Sequence, residues 1–195
     1  LDEADRMLDM GFINDMRLVM SKMSKERHTL FFSATLSSDI ERLISEFLNN
    51  PIRISVKTGD TSKNVHQDVL RVGQGSKLDL LHGLLNKEEF EKVLVFARTK
   101  HSVQKLSDEL SKRGVSSTAI HGNKNQTQRQ RALNDFKANR AKVLVATDVA
   151  ARGLDIPNVS HVINFDAPGT HEDYIHRIGR TGRAGKTGKA LTFVD

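Results

Sequence analysis

The sequence predicts an α/β fold built on a parallel sheet with helices on both faces, and two observations carry that prediction. Strand and helix patterns alternate in short units from residue 93 onward, as they do where parallel strands are joined by helical crossovers. Within that alternation, Val93-Leu94-Val95-Phe96 is apolar without a break, as a strand covered on both faces must be.

Taken in chain order, Leu1-Asp2-Glu3-Ala4-Asp5 reads as the mouth of a strand, and Met7 to Met23 as a helix. From Ser37 to Asn49 a further helix is expected, with Ser38 and Glu41 as a capping box. Its apolar residues Ile40, Leu43, Ile44, Phe47 and Leu48 recur at helical spacing. Pro51 stops it, and Ile52 to Val56 alternates like a strand. Residues 57–64 are polar and read as a linker. Beyond Val93–Phe96, a helix from Lys100 to Arg113 presents Val103, Leu106 and Leu110, and Gly114 ends it. Ser117–Ile120 is a strand, Gln126–Lys137 a helix burying Ala132, Leu133 and Phe136, and Lys142–Ala146 a strand. Val159–Phe165, a helix over His171–Ile178 and a strand at Ala190–Val194 complete the set. Residues 1–56 therefore read as the tail of one lobe cut from a longer polypeptide, and 65–195 as a second lobe. In such sheets ligands gather at the carboxyl ends of the strands, and every polar cluster singled out below follows a strand.

Composition narrows the classes. No run of the 195 residues approaches the eighteen or so apolar residues of a membrane span, and no membrane partner is expected. The absence of cysteine excludes disulfides and cysteine-bound zinc, and the 8 histidines show no metal-ligand spacing. Cytoplasm is the default location. The net charge of +6 divides unevenly, −2 over residues 1–60 and +8 over the remainder. A basic second segment suits a polyanion such as nucleic acid or nucleotide phosphate, and it equally suits a solvated surface.

The clusters themselves say more. Asp2 and Glu3 at a strand mouth suit a magnesium held by Asp2, with Glu3 polarising water toward a γ-phosphate. They also read as surface acids before a helix. Ser33-Ala34-Thr35 after an apolar run could bond Asp5 and link two strand ends, although its composition is that of any common turn. In Tyr174 to Arg183, three arginines, Arg177, Arg180 and Arg183, fall within seven residues and are separated by glycines that serve no evident core purpose, a loop that can approach phosphates closely or else a solvated basic loop. The guanidinium fork matches phosphate oxygens. Thr147 to Ile156 offers Thr147 for a backbone phosphate, Gly153 for close approach and Asp155 for ribose hydroxyls, or else a capped loop with an internal Asp–Arg pair. His121-Gly122-Asn123 leads to a helix start at Gln126, where Gly122, helix amides and Arg129 suit a phosphate oxygen. Arg98 is placed the same way. Gly185-Lys186-Thr187 imitates a P-loop ending, but five residues separate Gly179 from Gly185 where that motif needs four. It reads as a turn.

In their order, Asp2-Glu3-Ala4-Asp5, Ser33-Ala34-Thr35, Thr147–Ile156 and His176–Arg183 resemble the motifs of DEAD-box ATP-dependent RNA helicases of the bacterial type. The resemblance implies a RecA-like second lobe preceded by the C-terminal part of a first RecA-like lobe, the two closing on ATP, Mg2+ and single-stranded RNA. It implies that Asp2 holds magnesium through water and Glu3 activates the attacking water. Asp5, Ser33, Thr35 and His176 would couple nucleotide state to closure. Gly153 and Asp155 would meet the ribose, and Arg180 and Arg183 would reach the γ-phosphate. Arg98, Gly122, Arg129 and Thr147 would hold the RNA backbone, with Gln126 shaping that site. Protein partners would come through flanking tails.

Two departures stand out. Asn123 replaces the family's usual aspartate, and the sequence holds neither a P-loop nor the adenine-reading motif. These 195 residues by themselves are expected not to hydrolyse ATP. Two rival readings are a non-catalytic RNA-binding module and a related DNA helicase, the latter disfavoured by the complete DEAD and Ser-Ala-Thr pair.

Overall fold

In the computed structural model, residues 1–56, 64–154, 156–183 and 185–195 are described. The chain divides into two compact units, Leu1–Lys57 and Thr58–Asp195. The stretch read as a linker, 57–64, lies outside the described residues except for Asn64.

The first unit has three helices, α1 (Ala4–Asp9), α2 (Ile13–Lys22) and α3 (Ser38–Phe47). They meet over Ala4, Met16, Met20, Ile40, Leu43, Ile44 and Phe47. The single helix expected over Met7–Met23 is two, because Gly11 sits at φ +79° and a left-handed residue ends a helix. The α3 cap is Ser37 rather than Ser38, since its hydroxyl accepts from the Ile40 amide at 3.4 Å. The strand expected at Ile52–Val56 is absent: Ile52, Ile54 and Val56 are 91, 83 and 76% exposed. Alternation alone makes no strand without a neighbour to take its backbone bonds, and no described residue of this unit is in a strand.

The second unit holds β1 (Val65–Arg71), α4 (Lys77–Leu85), β2 (Val93–Phe96), α5 (Lys100–Lys112), β3 (Ser117–Ile120) and α6 (Gln126–Lys137). It continues through β4 (Val143–Ala146), α7 (Asp148–Ala151), β5 (His161–Asn164), α8 (His171–Ile178) and β6 (Gly188–Val194). The six strands pair in the order β1-β6-β5-β2-β4-β3, all parallel. Side chains alternate across the sheet, so Val93, Val95, Val143 and Val145 face α4 and α5. Leu94, Phe96, Leu144 and Ala146 face α6, α7 and α8. Helices thus cover both faces, as the continuous apolar strands require. Sequence patterning places no element between 65 and 92. β1 escapes notice because it lies at the sheet's edge, with His66 to Val69 exposed and no alternation to read. Among the described residues no helix is long and apolar enough to cross a membrane.

The turns at the carboxyl edge are fastened by caps. Thr99, Asn125, Thr147 and Thr170 each accept a backbone N–H with the side chain at the start of α5, α6, α7 and α8. Each such bond is worth about 1 kcal/mol, and together they fix the backbone of the polar loops.

At the opposite edge, His161 is 4% exposed and stacks on Phe90 with ring centroids 4.0 Å apart. Its Nδ1 meets the Ser160 hydroxyl at 3.0 Å, and its Nε2 has no hydrogen-bond partner. Burial, aided by the Lys189 cation and opposed by Glu89, pushes this imidazole down to about 4. The folded state therefore resists a proton that the unfolded chain accepts near 6.5. Stability carried by neutral His161 is intact above pH 6.5 and falls as pH drops toward 4, by about 3 kcal/mol. Urea unfolding at pH 7 and pH 4.5 should show this loss in the wild type and a smaller one in His161→Phe. Equal losses would remove His161 as the cause.

Candidate functional site

In the first unit, Asp2 and Glu3 stand where the chain turns into α1. The Leu1–Ala4 backbone runs beside the segment at Phe32: the Phe32 amide donates to Leu1 O (2.9 Å) and the Ala4 amide to Phe32 O (3.0 Å). Glu3 adopts φ 48°, ψ 47°, a left-handed conformation that costs a non-glycine residue on the order of 1 kcal/mol. Such strain concentrates at functional sites. Asp2 is exposed, and its Oδ1 accepts the Glu3 amide at 3.0 Å.

Asp5 is 4% exposed. Its Oδ2 accepts the Ala34 amide (3.1 Å), the Thr35 amide (2.9 Å) and the Thr35 hydroxyl (3.1 Å), while Oδ1 accepts the Arg6 amide (3.0 Å). Burial raises its proton affinity, but the bonds from Thr35, Arg6 and Ser33 together hold the carboxyl below its usual range. The Ser33 hydroxyl donates to Thr35 O at 2.7 Å, which tightens the turn. The link expected between Asp5 and the Ser-Ala-Thr turn is thus present, and it ties the start of α1 to the segment after Phe32, although neither flank is a strand.

In the second unit the polar turns converge by register. Phe96 of β2 pairs with Ala146 of β4, and Ala146 with Ile120 of β3. Arg98 and Gly122 lie two residues past their strands' members of this row, and Thr147 one residue past. Adjacent strands are about 4.8 Å apart, so the three turns share one continuous edge. Arg98 and Gly122 are exposed, and Thr147 is half-buried as the cap of α7. Gln126 opens α6, and Arg129 lies one turn further along it. A Cβ added at Gly122 would meet nothing within 4 Å, so its backbone is open to a ligand.

The nucleotide candidates gather around α7 and α8. His176 lies in the last turn of α8, with Nε2 3.7 Å from Glu172. The Arg180 guanidinium donates to Leu154 O at 3.0 Å, and Arg183 Nε to Gly179 O at 2.6 Å. Gly153 is exposed at φ +67°. Asp155 lies outside the described residues. The glycines between the arginines do have a packing purpose, contrary to expectation. Gly182 sits at φ +67°, where a Cβ would come within 2.8 Å of Val65 Cγ2 and 3.0 Å of Asn64 O. Gly185 turns at φ +75° into β6, consistent with a turn.

Arg177, grouped from sequence with the two arginines expected to approach phosphate, is instead an internal anchor. It is 3% exposed, donates to both carboxylate oxygens of Asp148 (2.6 and 2.8 Å), and reaches Asn164 Oδ1 (3.2 Å) and Asp166 O (2.7 Å). Its signal was an arginine inside an otherwise apolar helical stripe, beside Ile178 and Ile175. Burial of such a charge requires a partner.

The donors fit the expected ligands. Among the described residues no group of three or more His, Cys, Asp or Glu could cage a metal. Magnesium, which takes few protein ligands and is completed by water and phosphate, suits an exposed carboxylate such as Asp2. Arginines at glycine-rich turns suit phosphate.

Arg98, Gly122 and Thr147 leave the carboxyl ends of β2, β3 and β4, whereas the turn of Arg180 and Arg183 follows α8 and packs beside Val65 at the start of β1, contrary to the expectation that every polar cluster follows a strand. A parallel sheet with polar turns along its carboxyl edge defines an α/β lobe of the kind that gathers ligands there. Residues 76–185 match the family described as "Helicase conserved C-terminal domain", and residues 1–43 match "DEAD/DEAH box helicase". The DEAD-box ATP-dependent RNA helicase CshA of Bacillus licheniformis is 49% identical over the whole chain, which covers 40% of that protein. The structure of Dbp5 from S. cerevisiae bound to RNA and ADP BeF3 is 33% identical with a TM-score of 0.81, over 100% of this chain and 52% of that one. The E. coli DEAD-box protein SrmB, bound to the regulator of ribonuclease activity A, is 43% identical with a TM-score of 0.64 over 67% of this chain and 77% of that one. The chain belongs to the DEAD-box RNA helicase family, and its sheet is RecA-like. It spans about two-fifths of the length of the curated relatives it matches.

Proposed function

We propose that this chain serves an ATP-dependent RNA helicase, supplying the water-activating carboxylate, the arginine fingers and one RNA-gripping edge. Residues 1–56 act as the C-terminal part of a first RecA-like lobe, 57–64 as the linker and 65–195 as the second lobe. The row Phe96–Ala146–Ile120 carries this reading, because it aligns Arg98, Thr147 and Gly122 along one edge. Contacts from such turns grip phosphates without reading sequence, and Gln126 and Arg129 extend the grip along α6. On the nucleotide side, Gly153 and Asp155 hold the ribose, and Arg180 and Arg183 meet charge developing on the γ-phosphoryl group. Glu3 takes a proton from the attacking water, and Asp2 holds magnesium through water. Bound magnesium supplies charge neutralisation at the phosphates. Asp5, Ser33, Thr35 and His176 link that chemistry to closure of the lobes. The working location is the cytoplasm, with protein partners reached through flanking tails.

The test is Glu3→Gln in a polypeptide that joins this chain to a P-loop-bearing segment. RNA-stimulated ATP turnover should fall at least about a hundred-fold, as loss of a general base entails, while RNA is still bound in the presence of nucleotide. Normal turnover by that variant would refute the role of Glu3.

A further inference from the structure

Two short stretches share a pattern that the motifs above do not use. Asp148-Val149-Ala150-Ala151-Arg152 and Asp173-Tyr174-Ile175-His176-Arg177 each place an arginine four residues after an aspartate. On a helix that spacing puts both charges on one side, where they commonly pair with each other. Here the pairing crosses over. Arg177 takes Asp148 through a two-pronged contact of 2.6 and 2.8 Å, and Arg152 Nη2 takes Asp173 Oδ1 at 3.0 Å. The first residue of each stretch meets the last residue of the other.

This arrangement has consequences for register. Docked head to head, the stretches would set aspartate against aspartate and arginine against arginine. Slipped by one helical turn, neither rung could form, and Arg152 would face Arg177 or Asp148 would face Asp173. Breaking a buried pair by removing one partner is strongly destabilising, so α7 and α8 have a single favoured alignment.

The inner rung is wired to the rest of the edge. Arg177 also donates to Asn164 Oδ1 and to Asp166 O at the end of β5, and its guanidinium carbon lies 5.1 Å from the Phe96 ring centroid at the end of β2. The Asp166 carboxylate in turn accepts the Arg98 amide at 2.8 Å. Asp148 directly follows Thr147. One connected set of bonds therefore runs from the Arg98 turn through Asp166 and Arg177 to the Thr147 turn. The helix that carries Arg177 leads within three residues to Arg180, itself held on Leu154 O.

We propose that this reciprocal aspartate–arginine clamp is a positioning device that holds α8, and with it Arg180, in one register against the RNA-facing turns at Arg98 and Thr147. Arg177, Asp148, Arg152 and Asp173 are its positioning residues. RNA seated on those turns thereby sets where the arginine finger stands. The proposal rests on the helicase reading given above.

The outer rung, whose side chains keep 18% and 20% exposure, offers the milder variants: Arg152→Gln, Asp173→Asn and the pair together. Arg177→Lys keeps the inner charge but loses the fork. In the polypeptide carrying a P-loop, each should lower RNA-saturated kcat about ten-fold or more, since misplacement of a catalytic group by an ångström is that costly. RNA affinity without nucleotide should stay within about three-fold, because phosphate contacts govern it. The outer double variant should cost less than the two singles summed, as expected for residues in contact, Asp173 also accepting the Thr170 hydroxyl at 2.9 Å.

Amide exchange supplies a readout that needs no turnover. In Arg152→Gln and Asp173→Asn, the amides of α8 and residues 179–183 should exchange faster, with those of α4 and α5 unchanged. Unchanged exchange would overturn the clamp. Faster exchange with an undiminished RNA-saturated kcat would show a merely structural contact and overturn the positioning role. A wild type that showed no RNA-stimulated turnover would refute the helicase reading instead, and the exchange comparison would still judge the clamp. Should Arg177→Lys fail to fold, the outer-rung variants decide alone.

Discussion

Replacing Arg180 by glutamine is expected to cut RNA-stimulated ATP turnover about a thousand-fold in a polypeptide that joins this chain to a P-loop, the low end of what arginine fingers contribute. Glutamine keeps much of the length and some donor capacity but loses the charge and the fork, which are the features that answer a γ-phosphoryl group as its charge spreads. The position is well prepared for this role. Arg180 follows the end of α8, its guanidinium is aimed by the bond to Leu154 O, and the preceding helix is held through Arg177. Arg180→Lys should recover little, because a point charge on a flexible stem does not reproduce a planar fork. RNA binding without nucleotide should change little, since Arg98, Gly122 and Thr147 leave other strand ends. Single-turnover hydrolysis at saturating ATP separates the chemical step from binding. Turnover of Arg180→Gln within ten-fold of wild type would deny this residue a finger's role.

The sequence made the interior of the second unit legible because its strands are buried on both faces and its helices begin with recognisable caps. β2, β3, α6 and α8 fall where the residues place them, and α5 ends at Gly114 with φ +83°. Edges were harder. β1 shows its side chains to solvent and carries no periodic signal, and Ile52–Val56 carries one without a neighbour to use it. The site divides along the same line. Arginines spaced by glycines, and hydroxyls after apolar runs, announce themselves by residue type, although the structure gives Gly182 a packing purpose of its own. Arg177 does its work from inside, where a charge is visible only once its partners are known. The pairing of Asp148 with Arg177 spans twenty-nine positions, and nothing local in either stretch says which aspartate belongs to which arginine. Register, not composition, decides that, and register is a property of the folded sheet.

Gly188→Ala should destabilise the second unit by about 3 kcal/mol, the upper range for an overpacked site. A Cβ there would press on Thr181 Oγ1 and stand 2.6 Å from the Gly182 amide nitrogen and 2.7 Å from Thr181 Cγ2. Neither neighbour can yield cheaply. Thr181 is 2% exposed with its hydroxyl donating to Val159 O, and Gly182 already lies against Val65 and Asn64. Gly188 is also the residue of β6 paired with Val65 at the start of β1, so yielding would part the edge strand from its neighbour. The same displacement would loosen the turn that carries Arg183. The loss of stability should therefore come with a fall in ATP turnover beyond what the unfolded fraction explains. Gly169→Ala is the matched control, because a Cβ at that site meets nothing within 4 Å and the backbone is not left-handed; it should shift stability by no more than about 0.5 kcal/mol. Urea unfolding of both variants gives the comparison. If Gly188→Ala unfolds at the same urea concentration as Gly169→Ala, the contact of β6 with the arginine loop is not the fastening described here.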